Sequence, residues 1–283
     1  MNTFTDYYTL SNGVQVPCIG FGTWQSADGE EAYSAVCAAL DCGYRHIDTA
    51  AFYGNETSIG RAIRNSGIPR NELFVTTKLW NTERSYEKTK QAFADSMEKL
   101  GLDQLDLYLI HWPNPIDCRD RWAQVNAETW LAMEELYKAE KVRAIGISNF
   151  LPHHLDALLE TAKVLPTVNQ LRLCPGDIQP EAVAASRKHG LLPQAYTPLG
   201  KGKILDVPEM QILSKKYGKS IPQICIRWSL QLGFNPLPKS VTPSRIEENT
   251  RVFDFVLDEA DVALIESLTG CVGMAKNPDD VPF

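Results

Sequence analysis

The sequence predicts an α/β protein, a (β/α)8 TIM barrel preceded by an N-terminal β-hairpin, with residues 1–283 forming one domain. Three observations predict it. Short apolar runs alternate with helix-periodic segments eight times along the chain, which implies a parallel sheet covered by helices. The eight units occupy about 250 residues, the usual size of such a barrel. The apolar runs also end in polar residues, and a barrel gathers its strand C-termini on the one face that carries chemistry. A doubly wound open sheet is the competing architecture. No linker, composition shift or long repeat marks a second domain.

The elements follow in order. A hairpin is expected around Ser11-Asn12-Gly13, then a first strand near Cys18–Gly22. A helix covers Glu30–Asp41, with Ala32, Val36, Ala39 and Leu40 at helical spacing. The second strand is Tyr44–Asp48, and the next helix, Glu56–Asn65, stops before Gly67 with Pro69 beyond. Phe74–Leu79 is the third strand, Tyr86–Leu100 a long amphipathic helix closed by Gly101, and Leu105–Trp112 the fourth strand. A polar loop leads to a helix near Thr129–Ala139. The remaining strands are Ala144–Asn149, Thr167–Leu171, Pro193–Thr197 and Asn235–Lys239. Between and after them, helices are expected at Leu155–Ala162, Pro180–His189, Glu209–Tyr217, Gln223–Gln231, Arg245–Val252 and Asp258–Leu268.

Composition bounds the function. Hydrophobic residues make up 44% of the 283, enough for one substantial core, and the formal net charge is -7. An acidic balance argues against general binding to nucleic acid or membranes. Seven cysteines at irregular spacing contain no CxxC pair, so neither a zinc site nor a redox dithiol is expected. Buried free thiols in a reducing compartment are the reading, and with no basic-then-apolar leader a cytoplasmic location is expected. There the sequon Asn55-Glu56-Thr57 has no meaning.

The strand ends carry the chemistry. The second strand ends in Asp48, the third in Lys78, the fourth in His111 and the fifth in Ser148-Asn149. The sixth carries Asn169-Gln170, the seventh Tyr196-Thr197 and the eighth Lys239-Ser240. Singly, each has an ordinary structural reading: Asp48 as a loop acid, Lys78 as a rim lysine, His111 as a core histidine, Tyr53 as a packed aromatic. Seven polar ends in succession do not. A phenol is a poor acid near neutrality, with a free pKa of about 10. An ammonium beside it favours the phenolate and lowers that value, and an aspartate would hold the ammonium in place. A histidine nearby could bond a substrate carbonyl. Such a group donates a proton to an oxygen that gains charge, as in reduction of a carbonyl by hydride. No side chain supplies hydride, so a nicotinamide cofactor is required.

The usual dinucleotide fingerprint is absent. Gly20-Phe21-Gly22 and Gly200-Lys201-Gly202 lack their third glycine, with Gln25 and Leu205 in its place. Gly218-Lys219-Ser220 lacks the earlier glycine of a P-loop, with Leu213 there. The stretch Leu237–Asn249 offers an anion site instead: Lys239 and Ser240 at a strand end, then Arg245 at the start of a helix.

Gly43–Gly60 then resembles the first motif of the aldo-keto reductases, matching at Gly43, Tyr44, Arg45, Asp48, Thr49, Ala50, Glu56, Ile59 and Gly60. Ile-Gly-Ile-Ser-Asn at 145–149 and Leu-Pro-Lys-Ser at 237–240, with Arg245, Glu248 and Asn249, resemble its other motifs. The register holds from Gly20 to about Leu268, and the pattern resembles most the bacterial 2,5-diketo-gluconate-reductase-like branch. The resemblance implies NADPH-dependent reduction of aldehydes or ketones by a tetrad. Tyr53 would be the acid, Lys78 and Asp48 its tuning partners, and His111 the residue that orients the carbonyl. It further implies that Ser148, Asn149 and Gln170 bond the nicotinamide carboxamide and that Tyr196 stacks on its ring. Thr197, Leu199 and Lys201 match the pyrophosphate segment. Lys239, Ser240, Val241, Thr242 and Arg245 match the 2′-phosphate site, with Glu248 and Asn249 near the adenine. Gly22, Thr23 and Trp24 match the segment under the nicotinamide ribose. On this layout Trp24, Phe52, Trp80 and Trp112 wall the substrate pocket together with Tyr53 and His111.

The chain departs from the family at Arg172 and Cys174, where Glu and His are common. The tail Cys271–Phe283 is short, so an open pocket is expected. His46 is expected in the core and His153-His154 at the surface. No metal is expected, and the partner is a small carbonyl compound bound by a monomer. Two other readings stay open: a cofactor-binding regulatory subunit on the same fold, and a metal-dependent barrel hydrolase. The lack of His-x-His or clustered carboxylates at strand ends speaks against the second.

Overall fold

An antiparallel hairpin, β1 (Tyr7–Thr9) and β2 (Gln15–Pro17), opens the chain. In the computed structural model, which describes residues 1–283, the hairpin covers the base of the barrel: Leu10 and Val16 pack against Phe74, Leu107, Leu109, Ala144 and Val168. Eight parallel strands follow: β3 (Phe21–Gly22), β4 (His46–Asp48), β5 (Phe74–Leu79), β6 (Leu105–Ile110), β7 (Val142–Ser148), β8 (Val168–Arg172), β9 (Leu192–Tyr196) and β10 (Asn235–Leu237). Each pairs with its neighbour in chain order. The first and last are joined by Gly20 N–H to Pro236 C=O and Gly22 N–H to Pro238 C=O, both 3.0 Å, which closes the barrel. Gly22 is required at this seam, because a Cβ there would stand 3.0 Å from the Leu237 carbonyl oxygen.

The helices are α1 (Glu30–Asp41), α2 (Glu56–Asn65), α3 (Tyr86–Leu100), α4 (Trp122–Lys138), α5 (Pro152–Leu159), α6 (Pro180–Lys188), α7 (Pro208–Tyr217), α8 (Ile221–Gln231), α9 (Pro243–Glu248) and α10 (Glu259–Ser267). Their apolar faces and the outward residues of the sheet form the main core, with Trp130, Tyr108 and Phe150 fully buried in it. Gly60 lets α2 approach α3, since a Cβ there would come 2.1 Å from the Leu100 carbonyl oxygen. His46 lies inside the barrel, as expected, with Nε2 3.0 Å from Thr76 Oγ1. Burial depresses its pKa to about 3, which keeps it neutral.

Several boundaries differ from the sequence reading, each for a local reason. α4 begins at Trp122, seven residues before the expected Thr129, because Val125 and Asn126 already face inward. α9 ends at Glu248 rather than Val252; past it, the Glu248 and Arg251 carbonyls accept from Gln223 Nε2 instead of continuing a helix. Gly218-Lys219-Ser220 proves to be a helix junction. Gly218 is the left-handed C-cap of α7, Lys219 pairs with Asp254, and the Ser220 side chain caps α8 with Gln223. No helix is long and apolar enough to cross a membrane.

Candidate active site

The polar strand ends meet at one mouth. Lys78, at the inner end of β5, is fully buried and spends all three ammonium hydrogens. It donates to Asp48 Oδ1 at 2.6 Å, to the Thr49 carbonyl at 2.9 Å and to Tyr53 Oη at 3.3 Å. Asp48 is buried too, and its second oxygen accepts from Gln170 Nε2 at 2.8 Å. Tyr53 reaches the lysine from a short 3-10 turn, Ala51–Tyr53, that leaves β4. Because its oxygen accepts from Lys78, the phenolic proton is free to point into the mouth.

The electrostatics correct one expectation. A phenol pKa lowered by the ammonium was expected, but burial and the Asp48 carboxylate lift it well above its usual value. The sequence names Lys78 as a neighbour; it does not show that Asp48 offsets that cation and that the cleft desolvates the phenolate. Burial and Asp48 act on Lys78 in opposite senses, with burial the larger, so its pKa is lowered. His111 is pushed well below the ordinary histidine range by burial and by the Lys78 charge. Its imidazole is therefore neutral, and Nδ1 is buried without a protein partner. The His111 and Tyr53 rings meet edge-on, 5.8 Å between centroids.

A second group lies beside this one. Ser148 Oγ donates to the Gln170 carbonyl at 2.8 Å, and Asn149 Nδ2 donates to the His111 carbonyl at 3.0 Å. Tyr196 Oη donates to Asn149 Oδ1 at 2.8 Å. Asn149 holds a left-handed backbone, φ 62, that turns its amide inward. Thr197 and Lys201 are left-handed as well, at φ 54 and 56, and they bend the loop that carries Leu199 away from β9. Across the mouth, Lys239 Nζ donates to the Gln25 carbonyl at 3.3 Å, which ties the end of β10 to the Gly22-Thr23-Trp24 segment. Val241, Thr242 and Arg245 are exposed, and Ser240 Oγ accepts from Thr242 N–H at 3.1 Å. Glu248 lines a groove with Lys219 and Arg251, and Asn249 is buried.

The walls are aromatic. Phe52 stacks on Trp80 at 3.7 Å and on Trp24 at 5.6 Å, and Trp24 leans on Tyr53 at 4.8 Å. Trp112 is not beside them. It is buried, and its ring meets that of Phe283 at 5.3 Å. Phe283 also reaches Trp80 at 5.6 Å, so the end of the short tail packs on this wall, while Trp24 and Phe52 stay exposed at 38% and 47%.

The tail is fastened along its length. Arg172 donates to the Val272 and Gly273 carbonyls at 3.0 Å each and pairs with Asp177, which accepts from Ala275 N–H at 2.6 Å. The departure at position 172 thus has a physical role. Further on, Asp279 accepts from Asn114 Nδ2 at 2.7 Å and bonds His154 Nε2 at 2.8 Å. His154 is therefore buried, not at the surface as expected. Its Nδ1 accepts from Leu151 N–H, which places the ring proton on Nε2 to donate to Asp279. Burial holds its pKa down to about 4.

Residues 18–269 match the model of the aldo/keto reductase family. The chain belongs to that family. It is 43% identical over 278 residues to a glyoxal reductase of Bacillus subtilis (strain 168), covering 98% of each chain. Among solved structures it superposes with a TM-score of 0.92 on an aldo-keto reductase from a Medee basin deep-sea metagenome library, at 44% identity, covering 98% of this chain and 100% of that one. It also superposes, at TM-score 0.86 and 34% identity over 94% of each chain, on a Bombyx mori aldo-keto reductase in complex with NADP. The barrel is thus that of an oxidoreductase of carbonyl compounds.

Sequence reasoning missed Phe283, Arg84 and Asn55. Arg84, a buried residue, donates to the Trp112 carbonyl at 2.7 Å and fixes the loop that follows His111. Nothing in local periodicity marks a buried arginine whose partners lie dozens of residues away.

Proposed function

We propose that the protein reduces aldehydes and ketones to alcohols with NADPH, with Tyr53 as the proton donor. The observation that carries this is the saturation of Lys78: its three N–H groups are fixed on Asp48, Thr49 and Tyr53, which leaves the phenolic proton for substrate. The substrate oxygen would sit between Tyr53 Oη and the neutral His111 ring, accepting a hydrogen bond from each. As that oxygen gains charge, Tyr53 gives up its proton, and Lys78 stabilises the phenolate left behind. Asp48 does not transfer a proton on this reading; it holds the ammonium.

Residues around the second group fit a nicotinamide cofactor. Ser148, Asn149 and Gln170 offer hydroxyl and amide groups to a carboxamide, and Tyr196 offers a ring face beside them. When bound, the reduced nicotinamide supplies the hydride that no side chain can. Thr23 and Trp24 would lie under its ribose. Thr197, Leu199 and Lys201 would face the pyrophosphate, and Lys239, Ser240, Val241, Thr242 and Arg245 the 2′-phosphate. Glu248 and Asn249 would flank the adenine. Arg245 is exposed on α9 and is in none of the chain's ion pairs, which suits a guanidinium that meets a phosphate. Replacing Arg245 with Ala is expected to weaken NADPH about 10- to 100-fold and NADH less than about threefold, as read by fluorescence titration. Equal weakening would count against this placement.

Residues 1–283 act as one domain on this reading, with the hairpin under the barrel and the tail fastened to the loops beside its mouth. A monomer suffices, because one chain supplies every group named. The seven free cysteines suit a cytoplasmic location. The test is NADPH oxidation with methylglyoxal and a nitrobenzaldehyde. Tight NADPH binding without turnover across a broad carbonyl panel would leave only a cofactor-binding regulatory protein.

A further inference from the structure

Asn55 does not do what its position invites. It is the N-cap residue of α2, where an Asn side chain ordinarily accepts from a backbone N–H of the first turn. Here it makes no capping bond, and it is fully buried. Its Oδ1 accepts from Thr49 Oγ1 at 2.9 Å, and its Nδ2 donates to the carbonyls of Thr23 and Ser26 at 3.1 Å each. A buried amide with its donors and acceptor all committed is held in one orientation.

The segment it grips carries Trp24. Residue Gln25 in that segment is left-handed at φ 66, a conformation that costs energy in a residue other than glycine and persists only where the surroundings impose it. Several bonds impose it here. Thr23 donates to the Asp48 carbonyl from both N–H and Oγ1, Lys239 bonds the Gln25 carbonyl, and Asn55 holds the carbonyls on either side of the Trp24-Gln25 pair. So held, the Trp24 ring lies 4.8 Å from the Tyr53 ring and stacks on Phe52. Asn55 is also two residues beyond Tyr53 in the chain and bonded to the residue after Asp48, so one side chain joins the proton-donor loop to the wall.

We propose that Asn55 is a positioning residue: it sets the Trp24 wall against Tyr53 and thereby favours carbonyls that carry a flat aryl group over small ones that do not reach the wall. This rests on the reading of Tyr53 as the proton donor. A small α-oxoaldehyde needs only Tyr53 and His111; an aryl aldehyde must also lie along Trp24 and Phe52.

The test is Asn55→Asp. The shape is kept and Oδ1 still accepts from Thr49, but a carboxylate oxygen now faces two carbonyls. With NADPH, kcat/KM for 4-nitrobenzaldehyde is expected to fall about tenfold, mainly through KM, while that for methylglyoxal stays within about threefold. In the unliganded protein, amide hydrogen exchange should rise over residues 23–26 and not along α2. A merely structural asparagine would scale both substrates down alike and raise exchange generally, and that result would overturn the proposal. If Asn55→Asp does not fold, Thr49→Val removes only the bond to Oδ1. It should shift the same preference in the same direction, and wild-type selectivity in a folded Thr49→Val would overturn the proposal. A wild-type chain that binds NADPH but turns over neither substrate would instead overturn the proton-donor reading beneath it.

Discussion

Replacing Tyr53 with Phe is expected to abolish carbonyl reduction while NADPH binds nearly as before. The substitution removes one oxygen. Lys78 keeps its bonds to Asp48 at 2.6 Å and to the Thr49 carbonyl at 2.9 Å, so the ammonium stays in place. The ring contacts with Trp24 and His111 do not depend on the hydroxyl. What is lost is the only phenolic proton aimed at the mouth, and general acid catalysis is worth about 10²- to 10⁴-fold. A kcat lowered by that factor, with NADPH affinity within about threefold by titration, is the expected pair of results. Turnover retained at the wild-type rate would remove Tyr53 from the acid role.

The pH profile tests the same geometry from another side. His111 is depressed below its ordinary range, so it is already neutral at pH 7 and takes up a proton only in acid well below 6.5. Tyr53 is raised, so it keeps its proton through neutrality and beyond 10. The rate of reduction, kcat, is therefore expected to show no histidine step between about pH 6 and 8. A step of that kind, lost in a His111→Gln variant that still turns over, would show that the ring titrates in the working range and contradict the neutral-imidazole reading.

How much of this the sequence discloses depends on the range of the interaction. Strand ends are local: Asp48, Lys78 and His111 each terminate an apolar run, and closure of the barrel brings them together without further information. Gly43–Gly60 is legible for the same reason, since Asp48 and Tyr53 are five residues apart. The tail is not legible. Asp279 meets Asn114 and His154, and Arg172 meets Val272 and Gly273, across separations that no periodicity records. His154 follows a residue that is half exposed, so adjacency suggests a surface pair, yet the clasp on Asp279 buries one of the two. The sign of the Tyr53 shift fails differently. The neighbour Lys78 is inferred correctly, but the balance among burial, Asp48 and Lys78 needs distances. Asn55 is the sharpest case. Its sequon is visible and empty of meaning, while its three hydrogen bonds are invisible until Trp24 and Thr49 fold beside it.

Replacing Lys78 with Met separates catalysis from stability. The ion pair with Asp48 is buried on both sides, with side chains 0% and 5% exposed. Removing the lysine leaves a buried carboxylate with Gln170 Nε2 as its remaining bond, and breaking such a pair costs about 3–5 kcal/mol. On the proposed mechanism it also removes the cation that stabilises the phenolate, so kcat should fall about 10²-fold or more in whatever protein stays folded. The two losses have different causes, and a second substitution parts them. Adding Asp48→Asn discharges the carboxylate and keeps an oxygen that accepts from Gln170. Lys78→Met with Asp48→Asn is thus expected to recover much of the stability, read as the urea midpoint, while kcat stays low. If the double variant recovered activity along with its midpoint, the lysine would act only by neutralising Asp48, and the role assigned to it at Tyr53 would fall.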